Sequence, residues 1–531
     1  MGKRVVPVFF IFIFCMGFMV LRLFTMITGK YAQSGSSNST LTIEAASGRG
    51  FIYDRGMKPL VNSEKYLIAV AGPTEKAAAA LKAALCDEDF AYAYGRLSKG
   101  YPATAEVPFA IECDGVTTVT ALRRYSSKNQ LLTHLIGYLD GGGKPVCGIE
   151  KSCGEILSSD DRTITATFSV DAAGRVLLGG GATLRSNGYY SKSGVCLTVD
   201  REIQSIAEQA LSASGFECGA VVVSDVETGA VLAMASAPCY DINDVSKSLD
   251  DENSPFLNRA ISSFSVGSVF KIIVAAAALE NGVSETLEYD CSGSIEQSGV
   301  IFHCHKRDGH GLLDMPGSLI NSCNTYFVNL VTKFGIDEVV ELAYYMGFGL
   351  PLKLADTITA DGGRLPDPEK LDSAAAAANL AFGQGELMAT PLQMTAAVAA
   401  IANGGFYREP YIINGYVNSD GGLYDVRVPG AGQRVISEKT AKKLRSFLVS
   451  TAEESSIKSA AGIAAGGKTA TAQSGIYDGG KEMLNTWYSG FFPAENPKYA
   501  VTVMRQKGES GLYDCQPVFY KIADAVTAAK K

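Results

Sequence analysis

The chain has no basic excess. Across 531 residues, Lys and Arg number 47 against 55 Asp and Glu, a formal net charge of −8. Without surplus cations to neutralise phosphates, nucleic acid is not an expected partner. The 56 glycines follow no collagen period, and no internal repeat is present, which excludes rods and solenoids. Twelve cysteines are too thinly spread for a disulfide scaffold. Charged residues are only 19% of the chain while hydrophobic residues are 47%. That balance supplies a sizeable core and excludes disorder as the main state. At ~100–200 residues per domain, two to four folded units are expected.

Long apolar runs are also scarce, with one exception. Residues 5–27, VVPVFFIFIFCMGFMVLRLFTMI, carry a single charge, Arg22, near the far end. About 20 apolar residues cross a bilayer as a helix. The run is long for a signal peptide, and no clear A-x-A cleavage site follows. Phe14 before Cys15 makes a poor lipoprotein context. An uncleaved, single-pass anchor is therefore expected. Lys3 and Arg4 precede the run, whereas residues 31–48 hold no Lys or Arg. The positive-inside rule then puts residues 1–4 in the cytoplasm and the bulk of the chain outside the cell membrane. With Cys15 in the anchor, an odd number of cysteines remains outside it, so at least one is unpaired within the chain.

Beyond the anchor, residues 28–43 read as a Ser/Gly-rich linker. Residues 44–195 read as a mixed domain with Gly-rich breaks at 141–143 and 179–181 and a helix over 77–85. From 196 to 531 the pattern sharpens. Asp200 precedes a helical run. Residues 220–236 form two β-rich stretches joined by Glu227-Thr228-Gly229, a hairpin signal. A second hairpin lies around AENP between 486 and 507, and a closing helix follows over about 517–529. Between the hairpins the chain is Ala-rich and mostly helical. Strands at both ends with helices between them predict an α+β fold, its antiparallel sheet completed by both ends of the domain and packed by helices.

Three short motifs in this region carry chemistry. Gly267-Ser268-Val269-Phe270-Lys271 opens a helix that Asn281-Gly282 stops. Ser268 and Lys271 then share one face of its first turn. A serine hydroxyl needs a nearby base, and Lys271 serves only if burial or another cation lowers its pKa. Backbone N–H groups at the helix start favour a developing oxyanion. In Ser322-Cys323-Asn324, Ser322 can relay a proton and Asn324 can bind a substrate amide. In Gly466-Gly467-Lys468-Thr469-Ala470-Thr471, Lys468 supplies a fixed positive charge and Thr469 and Thr471 can hold a carboxylate. The Thr471 N–H can be the second oxyanion donor beside that of Ser268. Small residues here let a substrate lie against the strand edge as an added strand.

S-x-x-K, S-x-N and K-T-x in this order are far more specific than any one alone. The sequence resembles a class B penicillin-binding protein. LTVDREIQ, TGAVLAMASAPCYDIN, NRAISSFSVGSVFK, FGQGELMATPLQMTAAVAAIANGG and PAENPKYAV are similar to that family's transpeptidase domain. GRGFIYDRGMKPL and GIEKSCGEIL resemble its membrane-proximal pedestal. The resemblance implies D,D-transpeptidation: cross-linking of peptidoglycan stem peptides ending in D-Ala-D-Ala through an acyl-enzyme on Ser268, with covalent inhibition by β-lactams. It also implies a polytopic membrane glycosyltransferase partner, no cofactor, and Gln384 near the site. Residues 28–195 lack the acidic motifs of an attached glycosyltransferase, which favours class B over class A. Two residues depart from the pattern: Ala470 replaces the usual Gly, and Val266 the usual Pro. Removing the Ala470 methyl from a substrate-facing strand is expected to raise acylation. Two competing functions remain: a D,D-carboxypeptidase or β-lactamase-like hydrolase, and a weakly catalytic scaffold of a cell-wall synthesis complex.

Cysteine and histidine residues raise a separate question. Cys291, His303, Cys304, His305 and His310 could ligate zinc, but their spacing fits no standard pattern and the resemblance supplies no metal, so none is expected. Cys323 sits inside a catalytic motif, and the segment holding Cys304, Gly309 and Gly311 can fold back toward it. A Cys304–Cys323 redox pair would then alter the positions of Ser322 and Asn324. Cys304 could instead pair with Cys291, or Cys323 could be a buried apolar residue.

Overall fold

The computed structural model describes residues 5–28, 40–159, 161–171, 173–177, 181–367, 371 and 373–530. Residues 1–4, most of the expected linker and the glycines at 179 and 180 lie outside them. A helix spans Val5–Thr28, and its stretch Val6–Thr25 is long and apolar enough to cross a membrane. Thr40 to Ile43, expected as the end of the linker, already belong to a strand, Thr40–Ser47.

The chain folds as two compact units. The first gathers residues 1–50, 62–126 and 158–191; the second gathers 51–61, 127–157 and 192–531. Both thus exchange segments within the expected 44–195 stretch. In the first unit, Thr40–Ser47 pairs antiparallel with Thr163–Ser169, which pairs in turn with Thr183–Asn187. A second sheet places Glu64–Ala71 between Ala103–Val107 and Val116–Arg123. Ala77 and Leu81 of helix Glu75–Ala84 bury against that sheet's Ala69, Ala71 and Ala103. The Thr74 hydroxyl caps this helix by accepting from the Ala77 N–H.

The second unit is built on a five-stranded antiparallel sheet. Its strands are β1 (Gly219–Asp225), β2 (Val231–Ala237), β3 (Gly466–Asp478), β4 (Lys481–Phe492) and β5 (Tyr499–Gly508), in the spatial order β2-β1-β5-β4-β3. The two ends of the expected 196–531 domain therefore meet along β1 and β5, as the hairpin signals predict. The Asp225 carboxylate accepts from the Thr228 N–H and Gly229 stands at φ +75°, which together close the first turn. One sheet face packs on helix Arg201–Ser212, capped by Asp200, and on the closing helix Cys515–Ala529. The other packs on two apolar helices, Lys271–Glu280 and Pro391–Ala402. The latter begins with a capping box between Thr390 and Gln393 and Pro391 at its first position. The region between the hairpins is less purely helical than its alanine content predicts. It carries two-stranded ribbons, Tyr289–Cys291 with Gly311–Leu313, Ser294–Gln297 with Val300–His303, and Leu352–Ala355 with Ile358–Ala360.

Candidate active site

Ser268 sits on a single 3-10 turn, Gly267–Phe270, that feeds the α-helix starting at Lys271. The Lys271 backbone N–H donates to the Ser268 carbonyl, so the two side chains leave the chain one turn apart. Ser268 keeps partial solvent access while Val269, Phe270 and Lys271 are buried. A nucleophile in reach of solvent, with its base in the interior, is the arrangement the chemistry needs.

The turn rests on glycines. Gly267 stands at φ +68°, and a methyl there would meet the Ala472 Cβ at 3.0 Å and the Ala470 Cβ at 3.4 Å. Its N–H donates to the Gly383 carbonyl at 2.8 Å. This bond brings the Phe382-Gly383-Gln384 loop against the nucleophile turn and leaves Gln384 half-buried beside it.

Lys271 is fully buried. Its Nζ donates to the Ser322 carbonyl at 2.7 Å, the Asn324 Oδ1 at 2.7 Å and the Ser322 Oγ at 3.3 Å. Ser322 reaches this position through a left-handed backbone, φ +51°, which turns its carbonyl toward the lysine. Burial first, and the positive charge of Lys468 second, hold the Lys271 ammonium well below its usual range, against an opposing pull from Cys323 and Cys304. In its neutral form the amine has two N–H groups, which the two 2.7 Å bonds use; the 3.3 Å contact is then one in which the Ser322 hydroxyl faces the lone pair, the acceptor for a hydroxyl proton. Lys468 is buried too, and burial pushes its pKa down to about 8. It therefore retains most of its charge at neutral pH, and that charge is the second cause that lowers Lys271.

Along β3 the side chains alternate. Lys468, Ala470 and Ala472 are buried, whereas Thr469 is half-buried and Thr471 exposed. The Ala470 methyl accordingly points into the core below the nucleophile turn, beside Gly267 and Trp487, and not toward a substrate. Ala470 thus belongs to the expected substrate-facing strand, with its methyl on the strand's core side. Gly267 leaves the room that Ala470 fills. The Thr471 hydroxyl accepts from the Gly511 N–H at 3.3 Å. β3 is an edge of the sheet, so its outer side can take an extended peptide.

The structure thus gathers Ser268, Lys271, Ser322, Asn324 and Lys468 about one buried lysine, with β3 and Gln384 at the border. Sequence reasoning missed Gly383 and Trp487. The Trp487 indole N–H donates to the Ser265 carbonyl at 2.9 Å and the Asn485 amide to the Ser265 hydroxyl at 2.9 Å, which fasten the entry to the nucleophile turn onto β4. The chain's single tryptophan is the sequence signal that points to this joint.

Comparison with known proteins matches this geometry to a family. The profile of the penicillin binding protein transpeptidase domain matches residues 219–524. The chain belongs to that family. It is 31% identical over 412 residues to stage V sporulation protein D of Bacillus subtilis, a match covering 74% of this chain and 61% of that protein. It is 31% identical over 342 residues to the peptidoglycan D,D-transpeptidase PbpA of Mycolicibacterium smegmatis, covering 59% of this chain and 67% of the relative. Among solved structures, a ceftriaxone acyl-enzyme of penicillin-binding protein A from M. tuberculosis superposes with a TM-score of 0.65 at 25% identity. It covers 76% of this chain and 93% of that one. These relatives are of the class B type. The chain spans about three-fifths of the sporulation relative's length.

Proposed function

We propose that this penicillin-binding protein is a peptidoglycan D,D-transpeptidase. Ser268 attacks the carbonyl of the penultimate D-Ala of a donor stem peptide as Lys271 takes its proton. The N–H groups of Ser268 and Thr471 hold the oxyanion. Collapse of the tetrahedral intermediate breaks the peptide bond, and the proton passes through Ser322 to the departing D-Ala. An acceptor amine then attacks the ester, forms the cross-link and frees Ser268. Lys468, Thr469 and Thr471 hold the donor's terminal carboxylate, Asn324 its amide, and Gln384 borders the pocket. No cofactor takes part in these steps. A β-lactam enters the same path and stops at the acyl-enzyme.

One observation carries this reading: a buried lysine, its pKa lowered by burial and by the Lys468 charge, bonded at 2.7 Å to both flanks of the S-x-N motif and one turn from a partly accessible serine. The apolar helix Val5–Thr28 supports a single-pass membrane protein, and Lys3 and Arg4 ahead of it, with no Lys or Arg in residues 31–48, favour a cytoplasmic N-terminus. A polytopic glycosyltransferase would supply glycan strands to the domain outside. The test is to supply the full-length chain with uncross-linked peptidoglycan strands and analyse the products. Cross-linked dimers forming with free D-Ala support the proposal. D-Ala release without dimers would make the protein a carboxypeptidase. Neither product, with no acylation by penicillin, would leave a scaffold.

A further inference from the structure

Beside the catalytic lysine, four side chains from three separate segments converge. The sulfurs of Cys291, Cys304 and Cys323 and a ring nitrogen of His310 all lie within 4.8 Å of one another. The three cysteines are buried and none is in a disulfide. Of the residues the sequence raised as zinc ligands, Cys291, Cys304 and His310 belong to this group and His303 and His305 do not; Cys323 is the fourth member.

We propose that Cys291, Cys304, His310 and Cys323 form a structural zinc site that fixes the S-x-N motif. Three of the six ligand-to-ligand distances match a tetrahedron's edges. With Zn–S about 2.3 Å and Zn–N about 2.0–2.1 Å, the edges are about 3.8 Å between sulfurs and about 3.6 Å from sulfur to nitrogen. Here the Cys304 and Cys323 sulfurs are 3.9 Å apart, and His310 Nδ1 is 3.4 Å from the Cys304 sulfur and 3.6 Å from the Cys291 sulfur. Three thiolates and one imidazole complete four-coordination and leave no open position, the pattern of a structural rather than a catalytic zinc.

The backbone is shaped for this. Register Cys291↔Gly311 in the first ribbon puts His310 beside Cys291. The Cys304 N–H donates to the Gly293 carbonyl at 2.9 Å, which draws the second ribbon's end onto the same point. Gly293 and Gly309 permit the approach: a methyl on Gly293 would lie 1.9 Å from the Arg307 carbonyl oxygen, and one on Gly309 2.0 Å from that of Cys291. One partner of the sulfurs also fits a thiolate. The Thr325 hydroxyl donates to the Cys291 sulfur at 3.1 Å. The two ribbons are too small to be stable alone, since an isolated two-stranded hairpin is at best marginal in water. A metal supplies the missing anchor.

Cys323 lies between Ser322 and Asn324, the two residues whose oxygens hold Lys271. Pinning its sulfur to a metal fixes both flanks. The ion is a positioning element and does not touch substrate. Loading converts three thiols to thiolates and releases their protons. A Cys304–Cys323 disulfide would consume two ligands, so it and the metal exclude each other.

The experiment uses the full-length chain purified in detergent with zinc and no chelator. Expected are about one zinc per chain by elemental mass spectrometry and an X-ray absorption shell of three sulfurs at about 2.3 Å and one nitrogen at about 2.0–2.1 Å. Cobalt in place of zinc should give the thiolate charge-transfer and intense d–d bands of a tetrahedral site. Cys291→Ser and His310→Ala should lose the metal; should either fail to fold, the wild-type absorption shell decides. Stripping zinc should slow penicillin acylation by about 10- to 100-fold, the scale of a small misplacement in an active site, with zinc restoring it. Absence of metal after equilibration with zinc, a shell of oxygen and nitrogen only, or a Cys304–Cys323 disulfide in the zinc-treated protein would overturn the proposal. Metal content is read without activity, so a zinc-bound chain that forms no acyl-enzyme would contradict the transpeptidase reading and leave the metal site standing.

Discussion

In the proposed mechanism Ser268 and the two buried lysines divide one task, and each can be tested singly. Ser268→Ala removes only a half-exposed hydroxyl, so the fold should persist while penicillin acylation vanishes; covalent labelling of the variant at the wild-type rate would show another nucleophile. The lysines set the pH dependence. Lys271 acts as a base only when neutral, so acylation should fall at acid pH as protons return to its depressed pKa. Lys468 acts only when charged, and its pKa of about 8 places the alkaline limb there, well below that of an ordinary lysine. Removing the Lys468 charge by Lys468→Gln relieves the repulsion on Lys271, raises its pKa and should move the acid limb to higher pH. An acid limb that stays in place would show that burial alone tunes Lys271. These roles were legible in the sequence because S-x-x-K, S-x-N and K-T-x carry them at fixed spacing. The carbonyl of Ser322 was not, since it reaches Lys271 only through a left-handed backbone that no residue type announces.

At the scale of elements, the nucleophile turn and β3 are fitted to each other through Gly267 and Ala470. Gly267→Ala adds a methyl against Ala472 and forces a left-handed backbone on a residue with a Cβ, which costs about 1–2 kcal/mol. The turn should shift, and acylation should drop by more than tenfold, roughly the consequence of a misplacement below 1 Å. Ala470→Gly acts on the same joint from the other side. Because the methyl faces the core, its loss should cost about 0.5–1 kcal/mol and lower the thermal midpoint, with acylation unchanged or reduced. A faster acylation in this variant would instead bear out the expectation that the methyl on this substrate-facing strand slows the reaction. Helix starts and stops were readable where capping chemistry is local, at Asp200, Thr390 with Pro391, and Asn281 with Gly282. The ribbons around Cys291 and Cys304 were not, because their strands are only three or four residues long and too short for a period to register.

For the whole molecule, pattern reading recovered the sheet closed by both ends of the second unit, since each hairpin carries its own turn signal. It did not anticipate that 51–61 and 127–157 join that unit, because such exchange is decided by long-range packing. The apolar helix Val5–Thr28 makes a further expectation. The full-length protein should sediment with membranes and resist salt and alkali, whereas recovery of a soluble form lacking the first thirty residues would indicate cleavage. The account as a whole turns on an acyl-enzyme at one serine. The most direct measurement is to incubate the full-length protein with a penicillin, digest it and locate the adduct by mass spectrometry. The account predicts one adduct per chain on the peptide containing Ser268. No adduct, or an adduct on any other residue, would contradict it.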